Sequence, residues 1–209
     1  MRSKKAFCLI ATIAFGMLSG CSKAQQPNHS SPGSATAKKI LIVYLTRTKN
    51  TKAVAEMIHN NVGGDVVALE LEIPYPENYK AIVDQVAKEN AEGYLPPLKT
   101  TIAGIAQYDT IFIGFPTWGM QLPPPMKSFL STYNLGGKTL IPFNTNAGYG
   151  LGSCIETVKK LCPKSTLLDE FSVKGGIERD GVLFVMEGEK EKEVQNQVKE
   201  WLRKIGLLK

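Results

Sequence analysis

The run Ile40-Leu-Ile-Val-Tyr-Leu45, followed directly by Thr46-Arg-Thr-Lys-Asn-Thr51, restricts the folds open to this chain more than any other stretch. An unbroken apolar run rich in β-branched residues is the pattern of a strand covered on both faces, and such strands belong to parallel sheets between layers of helix. Beyond the run, Val54, Ile58 and Val62 recur at i, i+4 and i+8, one face of a helix. The link between strand and helix carries three hydroxyls, an amide and two cations. The free N–H groups of a helix start point into such a turn, and the helix dipole favours an anion there. Hydroxyls at alternate positions donate alongside those amides. Thr46, Arg47, Thr48, Lys49, Asn50 and Thr51 therefore read as a phosphate cradle, with an ordinary turn capped by Asn50 or Thr51 as the plainer alternative. The glycines of a Walker A loop or of a Gly-x-Gly-x-x-Gly turn are absent from this link.

The pattern of the first unit repeats down the chain. A second strand is expected over Asp65 to Leu71, ended by Pro74 and Pro76, neither of which can donate to a ladder. Tyr79, Ile82, Val83 and Val86 mark the next helix, and Leu98 to Ala106 reads as a short irregular or helical piece. Tyr108 to Phe115 is the third strand, and Met126, Phe129, Leu130 and Tyr133 form the buried face of the helix after it. Lys138 to Phe143 is the fourth strand, with Pro142 expected at its exit because a central ladder needs its donor. Leu151, Ile155, Val158 and Cys162 face inward on a fourth helix, and Thr166 to Val173 reads as a weaker fifth strand. Gly175 to Gly188 has no clear period, although Val182 to Val185 suits a small extra strand. Val194, Val198, Trp201, Leu202 and Ile205 share one face of a last helix, where Trp201 is core. Five alternations of strand and helix predict an α/β three-layer sandwich with a five-stranded parallel sheet in the order 2-1-3-4-5.

In that order ligands sit beyond the carboxyl ends of the strands, where the order reverses between strands one and three. The loops after strands three and four, Gly114 to Pro125 and Asn144 to Gly152, should meet the cradle there. Trp118 and Tyr149 stand in glycine-bearing loops rather than on apolar helix faces, which suits flat walls for an aromatic ring. Gly148-x-Gly150-x-x-Ser153 follows a strand and opens a helix, a weak dinucleotide signature that ends in serine.

The Thr-x-Thr-x-Asn-Thr loop at Thr46 to Thr51 resembles the phosphate loop of flavodoxins, with Lys49 where those proteins often have glycine. The pairing of Gly114-Phe-Pro-Thr-Trp118 with a glycine-rich fourth loop is similar to the flavodoxin-like domains of bacterial envelope lipoproteins. The resemblance implies a flavodoxin-like fold, noncovalent FMN and one-electron transfer. It also implies that Thr46 to Thr51 bind phosphate, and that Pro116, Thr117, Trp118, Gly119, Asn144, Gly148, Tyr149 and Gly150 flank the ring. Gly119, next to Trp118, is then the candidate hinge for a peptide that turns beside the flavin, since glycine reaches positive φ without steric cost. The alternative on the same fold is an NAD(P)H-dependent FMN quinone reductase. An electron carrier is favoured over it, since the reductase needs room for a nicotinamide over the flavin; no general base, triad or metal cluster is visible in the sequence. The partner is a redox protein or a small-molecule acceptor.

The N-terminus carries its own signal. Arg2, Lys4 and Lys5 precede an apolar stretch from Ala6 to Leu18, too short to span a bilayer, and Leu18-Ser-Gly-Cys21 closes it. This resembles a lipoprotein leader, which implies cleavage before Cys21, lipidation of Cys21 and anchorage to the bacterial cell envelope. The expected organisation is a leader over 1–20, a flexible tether over 21–38, rich in Ser, Pro, Ala and Gln, and one domain over 39–209. The chain has 25 basic and 19 acidic residues, a formal charge of +6; removing Arg2, Lys4 and Lys5 with the leader leaves 22 against 19. That excess is too small to point to nucleic acid. It also differs from the strongly acidic surface of most flavodoxins. Cys154 and Cys162, eight residues apart on one expected helix, are too distant for a disulfide and are expected as free, buried thiols.

Overall fold

The computed structural model describes residues 39–209, so the expected leader, Cys21 and the tether lie outside the described residues. The elements run β1 (Ile40–Tyr44), α1 (Asn50–Val62), β2 (Asp65–Ala68), α2 (Tyr79–Glu92), β3 (Thr110–Pro116), α3 (Pro124–Thr132), β4 (Thr139–Asn146), α4 (Cys154–Leu161), β5 (Thr166–Leu167), β6 (Phe171–Lys174) and α5 (Gly188–Lys204). The sheet is parallel, in the order β2-β1-β3-β4-β5, with β6 also paired to β4. Among the described residues no helix is long and apolar enough to cross a membrane.

Alternation along the strands sorts the core into two layers. Leu41, Val43, Ile111, Ile113, Phe115 and Leu140 face α3 and α4, where Met126, Phe129, Leu130 and Val158 meet them. Ile42, Phe112, Ile141 and Phe143 face α1 and α5, against Val54, Ile58, Val194, Val198 and Leu202. Side chains alternate across a strand with period two, so a continuous apolar run supplies both layers at once. Each fully buried aliphatic or aromatic side chain contributes about 1.5–3 kcal/mol, so both faces of β1 and β3 must be covered. Trp201 packs against Phe171 and Phe112 at 5.3 and 6.0 Å between ring centroids, and its Nε1 donates to the carbonyl of Asp169.

Of four local expectations, one holds and three are corrected. The second strand ends at Ala68, and Leu71 makes only an isolated antiparallel bridge with Leu98. The 98–106 piece is, as expected, irregular until one 3-10 turn at Ile105–Gln107. Val182 makes a single bridge with Ile177 and no strand forms over 182–185. Pro142 lies inside β4 rather than at its exit, paired with Ile113 of β3. The amides of Thr166, Leu168 and Gly175 donate to the carbonyls of Lys138, Leu140 and Asn146, so even-numbered β4 residues turn their backbone groups toward the fifth strand. Pro142 is one of these and has no N–H to give. The fifth strand is broken beside it: β5 pairs through Leu140, and β6 resumes at Phe143. The proline is accommodated by splitting its neighbour.

Helix α2 stands apart. Neither core layer contains any of its residues, although Ile82 and Val86 are buried. Its ends are defined in the ordinary way: Asn78 caps the start by accepting from the amide of Ala81, and Gly93 closes it at φ 64°.

Candidate flavin site

The loops leaving β1, β3, β4 and β6 converge at the carboxyl edge on a cleft of about 490 Å³. Of the residues singled out in the sequence, Arg47, Thr48, Asn50, Thr51, Pro116, Thr117, Trp118, Gly119 and Tyr149 line it. Thr46, Lys49, Asn144, Gly148 and Gly150 do not.

At one end lies the β1–α1 turn. Among the described residues, the amides of residues 48 to 52 find no acceptor within the protein. The hydroxyl oxygen of Thr46 is buried without a hydrogen-bond partner. A buried hydroxyl left unpaired costs roughly 1–3 kcal/mol, so the turn is one polar ligand short of being satisfied. Lys49 sits at φ 66°, the left-handed region in which glycine is free of strain, and its side chain is exposed. Other side chains of the turn are already engaged. Asn50 Nδ2 donates to Thr48 Oγ1 at 2.8 Å and to the carbonyl of Leu183 at 2.6 Å, while its Oδ1 accepts from the amide of Val185 at 3.1 Å. Thr51 and Thr145 share a buried hydroxyl–hydroxyl bond of 2.8 Å. Arg47 Nε donates to both carboxylate oxygens of Glu178, at 2.7 and 2.9 Å, and its terminal nitrogens donate to the carbonyls of Pro76 and Glu77. In this structure Arg47, Asn50 and Thr51 hold neighbouring loops together, leaving Thr48 and the amides to face an anion, with the orphaned Thr46 hydroxyl buried in the same turn.

The other end is apolar. Tyr79, Ile82, Val83, Val86, Ala87 and Ala91 give one continuous face of α2 to the cleft. Across from it, Trp118 meets Tyr75 edge to face at 5.6 Å. Tyr75 donates to Glu89, which also accepts from Gln85 at 2.8 Å. Burial, followed by that carboxylate, raises the pKa of the Tyr75 phenol. Lys127 closes the far end by donating to Asn90 at 2.8 Å and to Gln121 at 3.4 Å, and burial lowers its pKa.

The β3 loop turns tightly. Trp118 and Gln121 exchange backbone hydrogen bonds of 3.2 and 3.0 Å around Gly119 and Met120, which sit at φ 56° and 59°. Positive φ at both central residues is the primed turn that glycine and asparagine usually fill, so Met120 is strained. The β4 loop is fastened to it: the amide of Ser153 donates to the carbonyl of Met120, and a Cβ on Gly152 would lie 2.1 Å from that oxygen. Asn144 is fully buried, donating to the Phe115 carbonyl and to Thr117 Oγ1. It braces the loops from behind rather than flanking a ring. Gly148 and Gly150 give their amides to Asn146 Oδ1, so the two glycine amides of the weak dinucleotide signature are already engaged. Tyr149 is 66% exposed at the rim. Cys154 and Cys162 are free and buried, and burial pushes the Cys154 thiol up to about 11.

A flavodoxin family model matches residues 39–188. The chain belongs to the flavodoxin family. A Bacteroides eggerthii DSM 20697 structure classed as a flavoprotein is 25% identical, with a TM-score of 0.65 over 81% of this chain and 98% of that one. A second from Bacteroides uniformis ATCC 8492 is 21% identical, with a TM-score of 0.65 over 79% and 98%. A Lactobacillus acidophilus NCFM flavoprotein crystallised in complex with FMN is 21% identical, with a TM-score of 0.59 over 65% and 93%; at these identities the last two show the fold alone. Among curated proteins none matches.

Membership of the flavodoxin family supports FMN as the cofactor of this site, and the donor set fits it. Unsatisfied amides and an orphaned hydroxyl stand at one end, and an apolar slot stands at the other. Sequence reasoning missed three parts. The α2 stripe reads as an ordinary core face, because periodicity shows that a face is covered and not by what. Thr145 and Asn146 lie in the loop expected to meet the cradle, but are not singled out within it. Gly175, Gly176, Glu178 and Arg179 line the cleft from the stretch without a period. Gly175-Gly176 directly after a strand was the available signal, since it lies at the carboxyl edge where ligands gather.

Proposed function

We propose that this flavodoxin-family protein binds FMN and carries electrons one at a time at the bacterial cell envelope, held there by a lipid on Cys21. The observation that carries the FMN part is the cleft itself: Thr48 and the free amides of the helix start at one end, in the turn that also buries the unpaired Thr46 hydroxyl, and an apolar helix face and Trp118 at the other. FMN, when bound, supplies the redox chemistry. The chain's own residues bind and orient it. Thr46, Thr48 and the α1 amides hold the phosphate, and the helix dipole adds to their pull. Pro116, Thr117, Trp118 and the α2 stripe exclude water from the ring, and Gly119 with Met120 sets the backbone beside it. Anchorage rests on the order of basic start, short apolar stretch, small residues and Cys21. Several acyl chains on one residue give stable attachment where one would be marginal.

The test is a visible spectrum of the purified protein, a stepwise reduction with dithionite, and addition of NADPH with a quinone. A yellow protein that reduces in two separable one-electron steps and leaves NADPH untouched is the expected result. Rapid NADPH oxidation with direct two-electron reduction would replace the carrier with the quinone reductase. For the anchor, Cys21→Ser should release the protein from membranes or leave its precursor uncleaved; unchanged fractionation and migration would remove that part.

A further inference from the structure

We propose that the amino edge of the sheet is a docking face for an anionic phospholipid bilayer, so that the anchored domain stands with its cleft turned away from the membrane. The inference deepens the anchorage reading above, on which it rests, and adds which side of the domain meets the lipid.

Every strand of the sheet runs the same way, so the chain enters the domain at one edge and the cleft lies at the other. Lys39 leads into β1 and marks the entry edge. Lys138 leads into β4 and Lys164 precedes β5 on that edge, where the amide of Gly137 donates to the carbonyl of Lys164 and that of Asp109 to the carbonyl of Lys39. The helices run back against the strands, so α4 and α5 end there, each with two cations in its last turn: Lys159 and Lys160, Arg203 and Lys204. A helix C-terminus carries about half a negative charge, which one cation more than offsets. Two at each end are a surplus.

The acids of this edge are few and occupied. Asp65 accepts from the Tyr108 hydroxyl at 2.7 Å, Asp109 accepts from the amide of Lys39 at 3.0 Å, and Asp169 pairs with Lys204 at 3.0 Å. At the end of α2, Lys88 and Glu92 pair with each other, and Glu200 on α5 is matched by Lys199 beside it. Among the described residues Lys159, Lys160, Lys164 and Arg203 form no ion pair, and all four are exposed. The opposite end of α5 leans the other way, with Glu187, Glu189, Glu191 and Glu193 against Lys190 and Lys192. Five of the 25 basic residues and none of the 19 acidic ones precede Lys39, so the domain carries 20 against 19. An almost neutral domain with one basic end is a charge dipole, and the 17 residues of α5 place about 25 Å between its ends.

A tether holds a domain near a surface without choosing the side that faces it. Charge makes that choice here. Anionic lipid attracts Lys and Arg within about a Debye length, roughly 8–10 Å, and repels an acidic end. Lys23 and Lys38 lie between Cys21 and the domain with no acidic residue among them, so the link favours the same surface. The polarity turns the cleft to the aqueous side, where a water-soluble redox protein reaches it and a quinone dissolved in the bilayer does not.

The experiment uses the lipidated full chain in vesicles that carry a nitroxide, a short-range quencher, on their headgroups. A fluorescent probe is placed at Pro163→Cys on the amino edge or at Val182→Cys on the carboxyl edge, both exposed and uncharged positions. Cys154 and Cys162 are buried and stay unlabelled. On vesicles of phosphatidylglycerol with phosphatidylcholine, the amino-edge probe should be quenched about threefold or more beyond the carboxyl-edge probe. The difference should vanish on phosphatidylcholine alone and in about 1 M salt, where the Debye length is about 3 Å. Lys159→Glu/Lys160→Glu/Lys164→Glu should abolish or invert it. Should circular dichroism show that variant unfolded, Lys159→Gln/Lys160→Gln/Lys164→Gln carries the comparison with a smaller loss in the same direction. Equal quenching of the two probes on anionic vesicles would overturn the inference and leave the edge to a soluble acidic partner. A difference indifferent to lipid charge, or one that survives the charge reversal, would overturn it as well. Protein that mass spectrometry shows without lipid on Cys21 removes the anchorage reading and this inference together, whereas lipidated protein with equal quenching removes the inference alone.

Discussion

The two ends of the cleft are built by opposite means. The phosphate end is a lattice of directional bonds, in which Arg47, Asn50 and Thr51 tie the β1–α1 turn to the segments around Pro76, Thr145 and Leu183. The ring end is a helix face with neither core layer behind it, anchored by polar contacts such as Tyr75 to Glu89 and Lys127 to Asn90. A polar lattice fixes positions before a ligand arrives, at the cost of a few unsatisfied groups. An apolar face with no core behind it keeps part of its burial in reserve for the ligand. The first arrangement recognises an anion, and the second makes its own order depend on what fills the slot.

The largest effect should therefore fall on α2. Ligand bound only to the closed form stabilises it by RT ln(1 + [L]/Kd), about 4 kcal/mol at a thousandfold excess over Kd. Without FMN, hydrogen exchange should show the α2 amides far less protected than the mid-helix amides of α1, which the core covers; with FMN, α2 should gain protection of that order, because its opening releases the ligand. Equal protection of the two helices without FMN would mean that α2 is as well supported as the core, and the contrast between the ends would fail.

Next comes a substitution at the ring end. Trp118→Ala removes one wall and its edge contact with Tyr75. Burial of a large aromatic is worth roughly 2 kcal/mol here, so FMN and riboflavin should both weaken about thirtyfold. Most of the tryptophan quenching by bound flavin should vanish, since Trp201 lies among core aromatics on α5. Quenching that survives Trp118→Ala and disappears with Trp201→Ala would put the ring elsewhere.

At the phosphate end the signature should differ in kind. Thr46→Val keeps the shape of the side chain and deletes its orphaned hydroxyl. Without flavin the protein should be as stable as wild type or slightly more so, because an unsatisfied group has gone. With flavin, FMN should lose about 1.5 kcal/mol, the worth of one hydrogen bond to an anion, and riboflavin should lose nothing. Paired measurements of thermal midpoint and affinity decide it. A destabilised apoprotein would show that the hydroxyl has a partner at home.

How much of this was legible follows the same division. The two-layer core was readable because β1 and β3 are unbroken apolar runs, and such runs have one common solution. The strand-to-helix turn with free amides was readable because an apolar run followed by hydroxyls and a helical period marks where a strand hands over to a helix. The split fifth strand was not, because Pro142 read alone argues for an exit, and only its ladder partner shows that the neighbour yields instead. The role of α2 was hidden because Ile82 and Val86 look the same whether they cover a sheet or a ligand. Arg47 was read as a phosphate cation because Glu178 lies far along the chain, in a stretch without periodicity.

The smallest effect concerns backbone strain, which each end carries at one residue that is not glycine. Lys49 stands at φ 66° and Met120 at φ 59°. A left-handed L-residue costs roughly 1–2 kcal/mol, and glycine returns about 0.5–1 kcal/mol of that through its freer unfolded chain. Lys49→Gly and Met120→Gly should each stabilise the apoprotein by about 0.5 kcal/mol, a rise of about 1–2 °C in thermal midpoint for a domain of this size. Their flavin binding should then separate them. The exposed Lys49 ammonium is one of the cations of the phosphate turn, and its attraction to a phosphate is a surface interaction of at most about 1 kcal/mol. Lys49→Gly should weaken FMN by a few-fold at low salt and by nothing once salt screens the pair. Met120→Gly, at the uncharged end, should show no salt-dependent change in FMN affinity. If Lys49→Gly lowers the midpoint instead, the lysine is stabilised by contacts that outweigh its φ. If Met120→Gly shows the same salt dependence, the charge that FMN senses is not confined to the β1–α1 turn, and the two ends are electrostatically one.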